Sequence, residues 1–177
     1  MNLNGSVNSF VLCFRLCRRW RVEPQPKFPL LGDLLRTALR HPLVSLCTDS
    51  GAVAADGIFS RQKSHPRAWG SAARILGKYV RDEELLGLED AIRKMTSLPA
   101  SRMGLTDRGI LRPGMAADLV AFNPSTVRDR ATYADPLQYS EGIPYVAVNG
   151  GLVIDGGAIT DARPGRVLRG PGYKGSR

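Results

Sequence analysis

The chain has 177 residues, of which 43% are apolar and 23% are charged, an ordinary balance for a soluble globular domain. No stretch approaches the roughly 18 consecutive apolar residues that a membrane-spanning helix needs, so we expect no membrane partner. The three cysteines are too few and too scattered for a disulfide framework. Such a composition favours a reducing compartment, and we expect a cytoplasmic protein.

The net charge of +9 is concentrated at the two ends of the chain. Residues 1–27 carry a net +4 and residues 163–177 a net +5, so the stretch 28–162 is neutral overall. A nucleic-acid-binding fold usually presents its basic residues on one folded face. We therefore expect no nucleic acid among the partners.

Residues 1–27 differ in character from the rest of the chain. The apolar run Phe10–Phe14 precedes its arginines, which is the reverse of the order in a secretory signal. Glu23–Lys27 contains two prolines and is typical of a linker. Cys13 and Cys17 have no second pair of ligands after them, and we interpret them as ordinary thiols.

Hydrophobic spacing predicts helices in the first half of the chain. Apolar residues at i, i+3, i+4 and i+7, such as Leu34 and Leu35, indicate a helix over Phe28–Arg40. The same period predicts helices over Ser71–Val80 and Leu88–Thr96. We expect a further short helix that begins at Pro99 and is closed by Gly104.

A short apolar run, Leu43–Cys47, predicts a buried strand that leads into Asp49. A carboxylate at the C-terminal tip of a strand, followed by a loop with His65 and Arg67, is typical of one corner of a hydrolase active site. The loop Ser50–Gly70 is long, and loops of that length are usually functional or mobile. From these residues alone Asp49 is either a catalytic carboxylate or a cap of the loop.

In the second half of the chain the spacing of apolar residues changes from a helical period to a period of two, which predicts a small β module. Ala117–Phe122 reads as one strand, and Tyr145–Val148 with Gly151–Ile154 reads as a hairpin. Asn149-Gly150 supplies the positive φ angles of a type I′ turn, and residues 155–157 predict another turn. Three strands with exposed edges are not stable alone, so this module must pack on another element.

A string of motifs between residues 98 and 120 resembles the amidohydrolase superfamily. Its members are Leu98-Pro99-Ala100, Gly104-Leu105, Asp107-Arg108-Gly109, Leu111-Arg112-Pro113-Gly114 and Ala117-Asp118-Leu119-Val120. In that superfamily the string marks the passage from the last helix of a (β/α)8 barrel into a C-terminal β-sandwich. The resemblance implies an α/β plus β fold, in which the end of an incomplete metal-dependent hydrolase barrel is followed by part of a small β-sandwich.

The implied domain boundaries divide the chain into four parts. Residues 1–27 would be an unrelated or disordered leader, and residues 28–112 the last barrel strand with its helices. Residues 113–169 would be the β-sandwich portion, and residues 170–177 a basic tail.

Other motifs narrow the resemblance to the D-aminoacylase, or N-acyl-D-amino-acid deacylase, branch. They are Thr48-Asp49-Ser50, His65–Gly70, Arg74–Arg81, Val127–Thr132 and Pro164–Arg169. This chain departs from the branch in one major respect. The barrel of the branch carries a His-x-His pair and further His and Cys metal ligands, and this sequence contains none of those segments. The only histidines are His41 and His65. The resemblance therefore implies a C-terminal piece of the enzyme that is inactive alone.

In this branch a zinc ion activates the water that attacks the amide, and a strand-end aspartate carries the proton to the leaving amine. The resemblance implies that Asp49 is this aspartate and that it is a metal ligand only in a full-length parent. We expect no zinc on the piece itself. Asp56 is the alternative to Asp49 as the catalytic carboxylate, but Asp followed by Gly is mainly a turn signal. We expect His41 to end a helix and Cys47 to lie in the core.

Substrates of the branch carry a free carboxylate, which a guanidinium binds through two hydrogen bonds. The resemblance implies that Arg67 binds this carboxylate and that His65 orients the substrate or supports Arg67. The alternative is that Arg67 merely pairs with a loop carbonyl or an acid.

The implied function is hydrolysis of non-peptide amide C–N bonds in an N-acyl-D-amino acid type of substrate. The alternative is a non-catalytic β-rich module, or a subunit that completes a separately encoded barrel. Helix faces meant for the missing barrel half should then form an exposed apolar patch.

Overall fold

Helical segments come first along the chain and strands come last. The computed structural model describes residues 29–51, 54–55, 64–170 and 172–174. The helices are α1 (Pro29–Arg40), α2 (Arg67–Arg74) with a π-helical continuation (Ile75–Asp82), α3 (Leu88–Met95) and α4 (Ser97–Arg102). The strands are β1 (Leu119–Ala121), β2 (Tyr145–Val148), β3 (Gly151–Asp155) and β4 (Ala158–Ile159). Within the described ranges no helix combines the length and apolarity needed to cross a membrane.

Helix α1 confirms the first predicted helix, but its buried face is not the predicted one. Leu39 is buried, whereas Leu34 and Leu35 are 63% and 45% exposed. The helix ends before His41-Pro42, because a residue that precedes proline avoids the α region. An apolar stripe of α1 therefore stays exposed to solvent.

The second predicted helix begins four residues earlier than expected, at Arg67, and changes its winding at Ile75. In the π segment the N–H of Glu83 bonds to the carbonyl of Lys78 at 2.8 Å, a spacing of five residues. Helix α3 confirms its prediction, and α4 begins at Ser97 instead of Pro99. Gly104 follows α4 with a φ of +69°, as expected of a residue that closes a helix.

Two apolar clusters form the core, and the π segment contributes to both. The first consists of Leu39, Ile75, Tyr79, Leu85 and Ala91. The second consists of Ala73, Leu76 and Val127. Because Val127 lies in the connection between β1 and β2, the second cluster joins the helices to the β module.

The predicted strand Leu43–Cys47 is wrong: these residues run without regular secondary structure. A strand needs a neighbour for its backbone hydrogen bonds, and this segment pairs with none of the four described strands. Instead, the N–H of Leu46 donates to the carbonyl of Lys94 at 3.2 Å. The buried Lys94 ammonium group donates in turn to the carbonyls of His41 and Val44. Helix α3 thus takes the place of a neighbouring strand.

The β module is a four-stranded antiparallel meander in the order β1-β2-β3-β4. The predicted hairpin is confirmed, with φ angles of +47° at Asn149 and +82° at Gly150 as a type I′ turn requires. The fourth strand was not predicted. None of the residues in these four strands is buried, and several large apolar side chains stay exposed: Leu119, Val120, Tyr145, Leu152 and Ile159.

Candidate active site

Asp49 lies at the end of the irregular segment that follows α1. Its φ angle of +48° is in the left-handed region, which Asp tolerates better than most residues. Its N–H donates to the Cys47 sulfur at 3.2 Å, which fixes the local bend. The side chain is 68% exposed, so the carboxylate points into solvent and is accessible to a small molecule.

Arg67 is the first residue of α2, and its guanidinium group faces Asp49. One Arg67 nitrogen lies 3.5 Å from Oδ2 of Asp49, and the two side chains are 46% and 68% exposed. An exposed ion pair of this kind adds little to stability. The structure therefore brings together two of the residues singled out in the sequence, and it also gives Arg67 an acid to pair with.

His65 stands beside Arg67 at the start of the same helix. Its Nδ1 accepts the backbone N–H of Arg67 at 3.0 Å, which caps the first turn of α2. Burial of the imidazole, reinforced by the positive charge of Arg67, lowers the pKa of His65 below its ordinary value of 6.5. The neutral ring is the form that can accept this hydrogen bond.

Aromatic residues from the connection between β1 and β2 support this end of α2. The ring of Tyr133 stands at 82° to that of His65, with the ring centroids 5.0 Å apart. Tyr139 packs in a similar way on Trp69, with centroids 5.3 Å apart. Sequence reasoning missed both tyrosines, because they lie after the motif Val127–Thr132 in a stretch without a periodic pattern.

Tight packing holds α2 against the same connection. A Cβ at Gly70 would lie 2.7 Å from the Cβ of Asp129. Asp129 also pairs with Arg74, at 2.5 Å between Oδ2 and a guanidinium nitrogen. The indole N–H of Trp69 donates to the hydroxyl of Ser64 at 2.7 Å. The position of Arg67 thus depends on contacts from the β module as well as on its own helix.

Two of the remaining candidates, His41 and Cys47, lie within the described residues. His41 forms the turn after α1, as predicted, and its Nδ1 accepts the N–H of Leu43 at 3.2 Å. Cys47 is half-buried and belongs to neither apolar cluster, so its placement in the core is wrong. Asp56, Cys13 and Cys17 lie outside the described residues.

The described residues do not fit a zinc site by themselves. Among them no three His, Cys, Asp or Glu side chains are grouped as metal ligands. A catalytic zinc normally takes three protein ligands and a water. Asp49 is next to a guanidinium, which is a cation and competes with a metal ion for the carboxylate.

Comparison with known protein families identifies the family of this chain. The amidohydrolase family model matches residues 21–154, which is more than half of the chain. The chain belongs to the amidohydrolase family.

Within that family the chain is similar to deacylases of N-acyl-D-amino acids. It is 47% identical over 128 residues to an N-acyl-D-aspartate deacylase and 51% identical over 117 residues to an N-acyl-D-glutamate deacylase, both of Alcaligenes xylosoxydans xylosoxydans. These matches cover 72% and 66% of this chain and 24% of each relative. The chain therefore spans about a quarter of the length of these relatives.

Solved structures agree with this assignment. An N-acyl-D-glutamate deacylase from Bordetella bronchiseptica, solved with zinc and a phosphonate that mimics the tetrahedral intermediate, is 42% identical with a TM-score of 0.66. That match covers 77% of this chain and 27% of the other. The crystal structure of a D-aminoacylase is 44% identical with a TM-score of 0.60 and covers 66% and 25% of the two chains. The resemblance to this branch is confirmed.

Proposed function

We propose that this chain is part of a hydrolase that cleaves the amide bond of N-acyl-D-amino acids. Asp49 is the proton-transfer residue, and Arg67 binds the free carboxylate of the substrate. The proposal is supported above all by one observation, the approach of Arg67 to within 3.5 Å of Asp49.

The substrate's own geometry explains why these two side chains should be neighbours. In an N-acyl-amino acid the amide nitrogen and the carboxylate are attached to the same carbon. A group that protonates the leaving nitrogen and a group that binds the carboxylate must therefore lie within a few ångströms of each other. A carboxylate and a guanidinium on adjacent segments, both open to solvent, meet this requirement.

The pair also suggests how substrate binding prepares Asp49. In the free protein Arg67 pairs with Asp49 at 3.5 Å. A substrate carboxylate that binds Arg67 bidentately replaces Asp49 as its partner. Asp49 is then free to take a proton from the attacking water and return it to the leaving amine.

The helices belong, in this proposal, to the end of a (β/α)8 barrel. The exposed apolar side chains Leu34 and Leu35 on α1, and Leu43 after it, support a partner surface on this side. The chain spans about 24% of its curated relatives, so the rest of that fold would have to supply the barrel wall. We expect the 177-residue chain alone to be inactive.

A second candidate is a module without catalysis of its own that binds a partner through its sheet. It is favoured by the absence of any buried residue from the four described strands. Leu119 and Val120 are successive strand residues that point to opposite faces, yet they are 43% and 58% exposed. Both faces of the sheet therefore offer apolar surface.

Complementation tests the two candidates together. The purified chain is mixed with the preceding portion of the Bordetella bronchiseptica deacylase, and release of D-glutamate from N-acetyl-D-glutamate is measured with added zinc. We expect activity in the mixture only, and Asp49→Asn should lower it by about 10² to 10⁴-fold. Asp82→Asn, which alters an exposed aspartate paired with Arg81, is the matched control and should retain activity.

The outcomes separate the candidates. Activity of the chain alone would contradict its dependence on a partner. A complex that forms but stays inactive, or one in which Asp49→Asn is as active as the control, would favour the non-catalytic module.

A further inference from the structure

We propose that Tyr133 is a positioning residue that holds Arg67 in place through His65. The inference rests on the proposed role of Arg67 as the ligand of the substrate carboxylate. It adds Tyr133, which lies in the β module, to the site. The other residues of the site lie after α1, as Asp49 does, or at the start of α2, as His65 and Arg67 do.

Three contacts connect Tyr133 to Asp49. The Tyr133 ring stands perpendicular to the His65 ring, with centroids 5.0 Å apart. Nδ1 of His65 accepts the backbone N–H of Arg67 at 3.0 Å. The Arg67 guanidinium then approaches Asp49 to 3.5 Å. Rotation of the imidazole away from Tyr133 would break the second contact and leave the N–H of Arg67 without this acceptor.

Hydrogen bonds fix the backbone of the turn that carries Tyr133. The N–H of Thr132 donates to the carbonyl of Asp135, and the N–H of Asp135 donates to the hydroxyl of Thr132, each at 3.0 Å. Ala131, just before this turn, is only 2% exposed and anchors it to the core. Tyr133 lies between these hydrogen bonds and is 81% exposed, and its aromatic contact among the described residues is with His65.

The charge state of His65 decides whether the contact works. Nδ1 accepts a hydrogen bond only without a proton. Burial, followed by the charge of Arg67, lowers the pKa of His65 and so keeps Nδ1 free. Among the residues that the structure describes, the groups that face the imidazole are Arg67 from α2 and the Tyr133 ring from the β module. Removal of the Tyr133 ring takes away its contact with the imidazole and should weaken this effect.

NMR on the full chain tests the proposal without substrate. The chain has only two histidines, so the ring signals of His65 and His41 are readily separated, and the latter serves as the internal reference. The proteins compared are the wild type, Tyr133→Ala, Tyr133→Phe and the control Tyr173→Ala. Tyr173 is also exposed, but its ring packs on Arg169, 3.9 Å away.

In the wild type the Arg67 amide signal should shift with the titration of His65. In Tyr133→Ala the titration midpoint of His65 should move upward, and the Arg67 amide should exchange faster with solvent. Tyr133→Phe keeps the ring and should behave as the wild type, as should Tyr173→Ala. Tyr133→Leu repeats the test with a bulky side chain that is not aromatic, in case the alanine variant does not fold.

The proposal is overturned if folded Tyr133→Ala or Tyr133→Leu leaves both the His65 midpoint and the Arg67 exchange rate as in the wild type. It is also overturned if the Arg67 amide ignores the titration of His65. Because these signals need neither substrate nor zinc, they are independent of the complementation assay. A failure of the deacylase proposal would therefore appear there and leave these NMR results unaffected.

Discussion

Gly77, in the π segment, lies directly against the backbone of Val127. A Cβ at position 77 would come to 2.5 Å from the Val127 carbonyl oxygen and 3.4 Å from the Cα of Arg128. That carbonyl also accepts a hydrogen bond from Arg81 at 2.7 Å, so it cannot move aside without loss. Glycine is therefore required at this position by the approach of two backbones.

Gly77→Ala should destabilise the fold by about 1–3 kcal/mol, since overpacking against backbone cannot be relieved by a side-chain rotation. The urea midpoint of unfolding measures this change. Gly165→Ala is the control, because a Cβ there meets nothing within 4 Å. Equal midpoints for the two variants would show that the contact is not tight in solution.

Lys94 should prove to be a structural residue in spite of its charge. Its side chain is only 3% exposed, and its ammonium group donates to the carbonyls of His41 and Val44. In Lys94→Ala the His41 carbonyl keeps the N–H of Val44 as a donor. The carbonyl of the half-buried Val44 loses the Lys94 donor, which should cost about 1–3 kcal/mol of stability. Thermal unfolding of Lys94→Ala beside the exposed control Lys174→Ala measures the difference, and a similar small effect of both would contradict this role.

The stability of the protein should fall on acidification partly because of His65. Since its pKa is lower in the folded protein than its ordinary 6.5, the unfolded chain binds the proton more readily. The contribution of His65 is complete above that ordinary value and is lost as the pH falls through the folded pKa. Urea unfolding between about pH 8 and about pH 5 should show a smaller pH dependence for His65→Gln than for the wild type. Parallel pH profiles would refute the coupling.

Arg67→Lys should impair substrate binding in the complemented enzyme. Lysine keeps the charge but cannot reproduce the two parallel hydrogen bonds of a guanidinium. The loss of one charge-assisted hydrogen bond corresponds to about 10 to 100-fold in affinity. A KM for N-acetyl-D-glutamate raised in this range supports carboxylate binding. The control is Arg130→Lys, since Arg130 pairs with Glu141 on the β module.

Local sequence signals predicted the elements that local physics determines. Helix α1 follows from its apolar period and from Pro42, and the β2–β3 hairpin follows from Asn149-Gly150. The segment Leu43–Cys47 has the composition of a strand, but a strand also needs a hydrogen-bonding neighbour, and the segment has none among the described strands. Composition gives no information about that neighbour.

The candidate site was predictable only in part, for a similar reason. Asp49, His65 and Arg67 were proposed as site residues because they lie in motifs that resemble those of a known family. The contact between Tyr133 and His65 joins two segments that are distant in sequence, and no periodicity encodes it. The π winding was also hidden, because Ile75, Leu76 and Tyr79 fit the apolar spacing of an α-helix equally well.

The π segment takes up about one residue more than α-helical winding needs for the same rotation of the chain. If Ile75–Asp82 kept its length but wound as an α-helix, every residue after it would be rotated by about 100°, the advance of one residue in an α-helix. Leu85 would then turn away from Ile75 and Tyr79, with which it now packs. A variant shortened by one residue in this stretch should therefore return to α-helical winding and keep the first apolar cluster together.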